Sequence, residues 1–253
     1  MSESPALLVQ GVRKCFGRSL IIDGAELQVD AGQRCALIGP NGAGKSTLFN
    51  LVSGRQRSDA GRILLHGQDI TRASPQAINR LGLARSFQLS SLFPRLSALD
   101  NVRCALLWQL GYRYAFWRRL GRLPELARRA RAVLERVGLA QHAQVPAAAL
   151  SYAHQRTLEL AVTIAGDASV ILLDEPTAGM NRAESMAMVA LIREVSAGKT
   201  LLMVEHDMQV VFDLAERIAV MDNGRVIACD SAAGIRANAR VQQLYLNRSV
   251  HGA

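Results

Sequence analysis

Lysine is nearly missing from this chain, occurring only as Lys14, Lys45 and Lys199, so the formal net charge of +9 is carried almost wholly by arginine. A pI near 10.1 permits a nucleic-acid or membrane-surface partner. In a chain that uses arginine almost wherever a cation will serve, that charge is a weak guide, and a retained lysine is the informative exception. Cysteine is scarce as well: Cys15, Cys35, Cys104 and Cys229 show no CxxC spacing. That pattern argues against a zinc site and a disulfide framework and suggests a reducing compartment. Long apolar runs are absent too. The most apolar stretches are broken by Glu159, Asp167 and Asp174, or by Arg113 and Arg118, and none approaches the roughly 18 apolar residues of a membrane span. Met1 to Gly11 lack the basic segment and apolar run of a secretory signal. What remains is 253 residues with 49% hydrophobic content, enough to bury the core of one large α/β domain or of a domain plus a subdomain.

The most specific local pattern is Gly39-Pro40-Asn41-Gly42-Ala43-Gly44-Lys45-Ser46-Thr47. Ala36-Leu37-Ile38 reads as a short buried strand before it, and Lys45 to Ser53 as a helix after it, ending at Gly54. Strand, glycine-rich loop and helix is the context a phosphate-binding loop needs. Backbone N–H groups and the helix N-terminus then face the anion, Lys45 brings a compact charge to the β- and γ-phosphates, and the Ser46 hydroxyl reaches Mg²⁺. The spacing therefore predicts Mg-ATP binding, with Lys45 kept where arginine would otherwise stand. A loop of this kind does not by itself separate kinases, GTPases, motor ATPases and transporters.

A second acidic constellation follows. Val170-Ile171-Leu172-Leu173 is a continuous apolar run, as in a parallel strand buried on both faces, and it ends in Asp174-Glu175-Pro176. Acids at the carboxyl end of such a strand sit where α/β ligands bind. Asp174 is expected to hold Mg²⁺ through water, and Glu175 to orient or deprotonate the attacking water.

Taken together, these motifs resemble the ATP-binding cassette (ABC) ATPases, and the resemblance runs along nearly the whole chain in that family's order. It implies a P-loop NTPase (RecA-like) α/β core with an antiparallel β subdomain and a helical subdomain. Phe16, in Lys14-Cys15-Phe16-Gly17, stands where the family stacks an aromatic on adenine, although alone it reads as a core residue. Gln88, in Arg85-Ser86-Phe87-Gln88, resembles the glutamine loop that touches Mg²⁺ and water and senses the membrane partner. Leu150-Ser151-Tyr152-Ala153-His154 resembles the signature motif that completes the site of a second copy. Ala178-Gly179-Met180-Asn181 falls at the loop crossing the dimer interface. His206, in Glu205-His206-Asp207, resembles the switch histidine at the γ-phosphate. The resemblance thus assigns catalysis to Glu175, His206 and Gln88, and the metal to Ser46, Gln88 and Asp174.

One position departs from the pattern. The third and fourth signature residues are usually glycine, and here they are Tyr152 and Ala153. If the fourth position needs positive φ or close approach, the added Cβ costs roughly 1 kcal/mol, and Ala153 is expected to weaken ATP-driven closure.

The organisation expected is one cassette: residues 1–96 and 154–230 form the nucleotide-binding core with its β subdomain, 97–153 the helical subdomain, and 231–253 a tail with no room for a regulatory domain. Leu7 to Val12, Ala25 to Val29 and Ile63 to His66 read as strands, and Asp222-Asn223-Gly224-Arg225 as a hairpin turn. The helical region carries many arginines, from Arg113 to Arg136, with Trp108, Tyr112, Tyr114, Phe116 and Trp117 among them. That surface reads either as a solvated face or as a docking surface for headgroups or an acidic loop.

The resemblance implies a pair of cassettes, of the same or a paralogous chain, on the cytoplasmic face of a bacterial inner membrane. Integral membrane permease subunits and an extracytoplasmic solute-binding protein are the other expected partners, and nucleic acid is not. Phe87 to Pro94 and Leu99-Asp100-Asn101-Val102 look most like the branched-chain amino-acid and urea importer branches. Other ABC transporters, such as lipopolysaccharide exporters, and soluble ABC ATPases acting on nucleic acid are the alternatives.

Overall fold

The computed structural model describes residues 4–86, 92–107 and 123–243. Two sheets form the frame. A six-stranded sheet runs in the order β10-β9-β3-β8-β7-β6, from β3 (Arg34–Ile38), β6 (Leu83–Arg85), β7 (Val170–Asp174), β8 (Thr200–Val204), β9 (Arg217–Asp222) and β10 (Arg225–Asp230). Its strands are parallel except β10, which returns antiparallel on β9. A four-stranded antiparallel sheet holds β1 (Leu7–Phe16), β2 (Ser19–Val29), β4 (Ala60–Leu65) and β5 (Gln68–Asp69), in the order β2-β1-β4-β5.

The central strands β3, β7 and β8 are apolar between their ends because both of their faces are covered. Alternate side chains of β3, β7 and β8 divide between two cores. Cys35, Leu37, Val170, Leu172, Leu202 and Val204 pack toward the antiparallel sheet and α1 (Lys45–Val52). Ala36, Ile38, Ile171, Leu173, Leu201 and Met203 pack toward the helices on the other side. Those helices are α3 (Ala98–Leu106), α4 (Pro124–Arg136), α5 (Tyr152–Ala165), α6 (Arg182–Val195) and α7 (Met208–Leu214), while α2 (Pro75–Arg80) lies beside β6 and α8 (Ala232–Ala237) beside β10.

Strand lengths differ from the sequence reading. β1 continues to Phe16 and β2 begins at Ser19, so a tight turn at Gly17-Arg18 joins them. The alternation that ends a legible strand at Val12 is interrupted because Gly11 has φ 57° and the register shifts between Val9 and Val12. At the other hairpin, Asn223 and Gly224 take φ of 43° and 77°, the left-handed pair of a type I′ turn, and Arg225 pairs with Asp222. Helix α5 runs unbroken across residues 153 and 154, where the sequence places a boundary. On α4, Leu126, Ala130 and Leu134 are buried, whereas Arg128 and Arg129 are solvated and ion-paired to Glu125. Arg113, Arg118, Arg119, Arg122 and the five aromatics from Trp108 to Trp117 lie outside the described residues, as does the glutamine loop from Phe87 to Ser91 with Gln88.

Candidate active site

The loop at Gly39 to Thr47 joins β3 to α1, and its glycines are required by space as well as by dihedral. A Cβ on Gly39, at φ 150°, would stand 2.1 Å from the Met221 carbonyl oxygen, and one on Gly44, at φ 105°, 2.8 Å from Ile22 Cδ1. Gly44 is the N-cap of α1, and no side chain caps the helix there. The first-turn amides, including those of Ser46 and Thr47, therefore have no side-chain acceptor of their own and suit an anion. Lys45 folds back over the loop, its Nζ donating to the Gly39 and Pro40 carbonyls at 2.7 and 3.0 Å. Phe16 is 47% exposed at the end of β1, with Lys14 Nζ 5.5 Å from its ring centroid. It is a surface ring, not the core residue its local sequence suggests.

At the end of β7, Asp174 is 3% exposed. Its Oδ2 accepts from Arg85 Nη2 at 2.8 Å, while its Oδ1 is buried without a partner. An orphaned carboxylate oxygen opposite a neutralising arginine is a fitting acceptor for a metal-bound water, so these residues suit Mg²⁺. Arg85 also donates to Asn50 Oδ1 and Ser53 Oγ on and after α1, and burial pulls its own pKa down. In the sequence Arg85 stands out only as a neighbour of Gln88. A buried acid needs a cation or several donors, and Arg85 sits opposite Leu172 in the register, two residues before Asp174, but only the strand pairing reveals this.

Losing Arg85 strands that acid. Breaking a buried pair costs about 3–5 kcal/mol, so Arg85→Met is expected to unfold at markedly lower denaturant concentration, and Asp174→Asn in the same chain to recover part of the loss. Equal midpoints for Arg85→Met and the parent would contradict this.

Glu175 adopts φ 48°, a left-handed conformation that costs a non-glycine residue roughly 1–2 kcal/mol. Its amide donates to the Val204 carbonyl at 2.9 Å, and its carboxylate Oε1 lies 2.8 Å from His206 Nε2. The structure thus brings Glu175 and His206 together at the carboxyl ends of β7 and β8, beside a cavity of about 470 Å³ that Thr177, Met180, Asp207 and Gln209 also line. Glu205, which the sequence marks only as part of a motif, is 4% exposed. One of its oxygens takes the Thr177 amide and hydroxyl, and the other the amides of His206 and Asp207.

The signature residues lie at the start of α5. The Ser151 hydroxyl caps the helix through the His154 amide at 3.3 Å. The Tyr152 hydroxyl donates to the Ala178 carbonyl at 2.7 Å and accepts from Arg156 Nε at 3.0 Å. A Cβ on Gly179, at φ 77°, would stand 2.9 Å from that hydroxyl. The signature and the loop Ala178 to Asn181 are therefore fastened within one chain, and Asn181 goes on to cap α6 in a capping box with Glu184. The structure corrects one expectation: Ala153 lies in the first turn of α5 and is not among the positive-φ residues. Its methyl carries no backbone strain, so close approach is the remaining route by which it could weaken closure. The His154 ring lies 4.4 Å from the His142 ring, tilted 48° to it.

Residues 22–178, more than half of the chain, match the model of the ABC transporter family. The chain belongs to that family. It is an ATPase of the ABC type, and ATP is its nucleotide. Among curated ABC proteins it is 35% identical over 97% of its length to the high-affinity branched-chain amino acid transport ATP-binding protein LivG of Escherichia coli strain K12, covering 99% of that protein. It is 34% identical, with the same coverage, to the corresponding protein BraF of Pseudomonas aeruginosa. The crystal structure of a nucleotide-free ATP-binding cassette from an ABC transporter superposes with a TM-score of 0.84 at 26% identity, over 96% of this chain and 99% of that one. Among the described residues, no helix of this cassette is long and apolar enough to cross a membrane.

Proposed function

We propose that this ABC ATPase powers the import of branched-chain amino acids or a related small polar solute. The end-to-end match with LivG and BraF carries that reading, because it spans 97% of this chain and 99% of each relative. The cassette then sits on the cytoplasmic face of the membrane, beside integral permease subunits, with a second cassette and an extracytoplasmic solute-binding protein completing the assembly.

Chemistry and geometry support the residue roles proposed as follows. Gly39 to Thr47 cradle the phosphates, Lys45 turns from the loop carbonyls to the β- and γ-phosphates, and Phe16 offers its exposed ring to the base. Ser46, Asp174 and Gln88 would hold Mg²⁺, which when bound neutralises phosphate charge. Glu175 accepts the proton of the attacking water, and His206, hydrogen-bonded to it, orients that carboxylate and reaches the γ-phosphate. The hydrogen bonds of Ser151, Tyr152 and His154 run within α5 and to Ala178 and Arg156, not to the phosphate loop. This supports a site completed by Ser151 of a second chain. We also propose the division into residues 1–96 with 154–230, 97–153 and 231–253 as core, helical subdomain and tail.

Affinity purification from detergent-solubilised membranes tests the transport reading. Co-purifying integral membrane subunits, and ATP-dependent uptake of branched-chain amino acids by the reconstituted complex, are the expected results. The basic pI gives nucleic acid its one argument, and co-purifying nucleic acid without membrane subunits would overturn the proposal.

A further inference from the structure

We propose that Glu205 is a positioning residue that locks the Glu175–His206 pair and couples it to the loop beginning at Thr177. The proposal rests on the roles given above to Glu175 and His206. β7 and β8 are neighbours in parallel register, Asp174 opposite Val204, so Glu175 and Glu205 leave the sheet side by side. The two carboxylates then diverge. Glu175 is open to solvent at a quarter of its side chain and meets His206, whereas Glu205 is buried.

The buried carboxylate has no cation on it among the described ion pairs, yet neither oxygen is left over. Oε1 accepts from the Thr177 amide at 3.1 Å and from its hydroxyl. Oε2 accepts from the amides of His206 at 2.9 Å and Asp207 at 3.3 Å. Four donors on an acceptor-only group is a complete arrangement that only an ionised carboxylate supplies, since an amide must turn its NH₂ toward donors on one side or the other.

Each oxygen fixes one half of the pair. The Oε2 side sets the backbone of His206 and so the approach of its ring to Glu175. The Oε1 side pins Thr177, two residues after Glu175, with Pro176 between them, and so restricts the left-handed conformation at Glu175. Beyond Thr177 the chain continues into Ala178 and Gly179, where Tyr152 holds the Ala178 carbonyl. A shift of that loop therefore reaches Glu175 and His206 through Glu205, with Thr177 as the handle.

Steady-state ATPase kinetics and nucleotide binding on the full chain, in its functional complex, test this. Glu205→Gln is expected to lower kcat about 10-fold or more, as a displacement of reacting groups does, while KM for ATP and nucleotide affinity stay within about twofold. Thr177→Val, which removes one hydroxyl and keeps the fold, should lower kcat in the same direction. Thr177→Ser should restore it, and Thr177→Val should add little in the Glu205→Gln background. Unchanged kcat in both Glu205→Gln and Thr177→Val, or losses that multiply independently in the double variant, would overturn the proposal, as would kcat and affinity falling together. Glu175→Gln and His206→Ala run alongside separate the two levels. If those two keep normal turnover, the reading of the site fails; if they lose turnover while the Glu205 and Thr177 variants keep it, only the coupling fails.

Discussion

Glu175→Gln is expected to abolish steady-state ATP turnover while nucleotide binding survives. The substitution preserves shape and the 2.8 Å contact with His206, removes the basic lone pair, and leaves the phosphate loop untouched. Loss of a positioned general base typically costs about 10²–10⁴-fold, and the base proposed here is held in a left-handed backbone at φ 48°. With chemistry stopped after binding, ATP should accumulate on the protein and hold two cassettes together. A coupled phosphate-release assay with size-exclusion light scattering reads both effects. Near-normal hydrolysis would remove Glu175 from its role.

Lys45 should fail differently, at binding instead of chemistry. The Lys45 side chain is buried, its ammonium held by the Gly39 and Pro40 carbonyls, and in the proposed site it exchanges those carbonyls for phosphate oxygens. Hydrogen bonds to charged groups are worth about 1.5–3 kcal/mol. Lys45→Ala is therefore expected to weaken ATP about 10- to 150-fold, measured by calorimetry or a fluorescent nucleotide. Lys45→Arg should not rescue it, because a branched guanidinium does not fit a cradle built for a point charge. The chain's own habits sharpen the test, since it replaces lysine by arginine nearly everywhere else. Arginine at 45 with parental affinity would contradict the reading.

The geometry of the loop before α1 is legible in the sequence because its signals are local. Gly39, Gly44 and Lys45 occur within seven consecutive positions, and each glycine answers to a conformation or a contact that a side chain would spoil. The Asp222 to Arg225 hairpin is equally local, as are the apolar strands β7 and β8. The pieces that escaped are long-range. Arg85 meets Asp174 across 89 residues, and Glu205 meets Thr177 across 28, so each pairing exists only once neighbouring strands are in register. β1 outruns its legible stretch because the irregular register around Gly11 and Val12 breaks the alternation that would carry it on to Phe16. The dihedral at Ala153 is likewise a property of the fold: the capped first turn of α5 imposes no positive φ there and leaves only the condition of close approach.

A cassette that carries half of a catalytic site needs a second chain for turnover, and dilution tests that need. Specific ATPase activity should be measured over a wide range of protein concentration, for the chain alone and at a fixed ratio with a paralogous cassette. A site that needs Ser151 of a second chain predicts specific activity that falls on dilution and reaches a plateau when concentrated, with Ser151→Arg inactive throughout. Specific activity that is constant on dilution and indifferent to Ser151→Arg would show that one chain hydrolyses ATP unaided and would rule out a shared site.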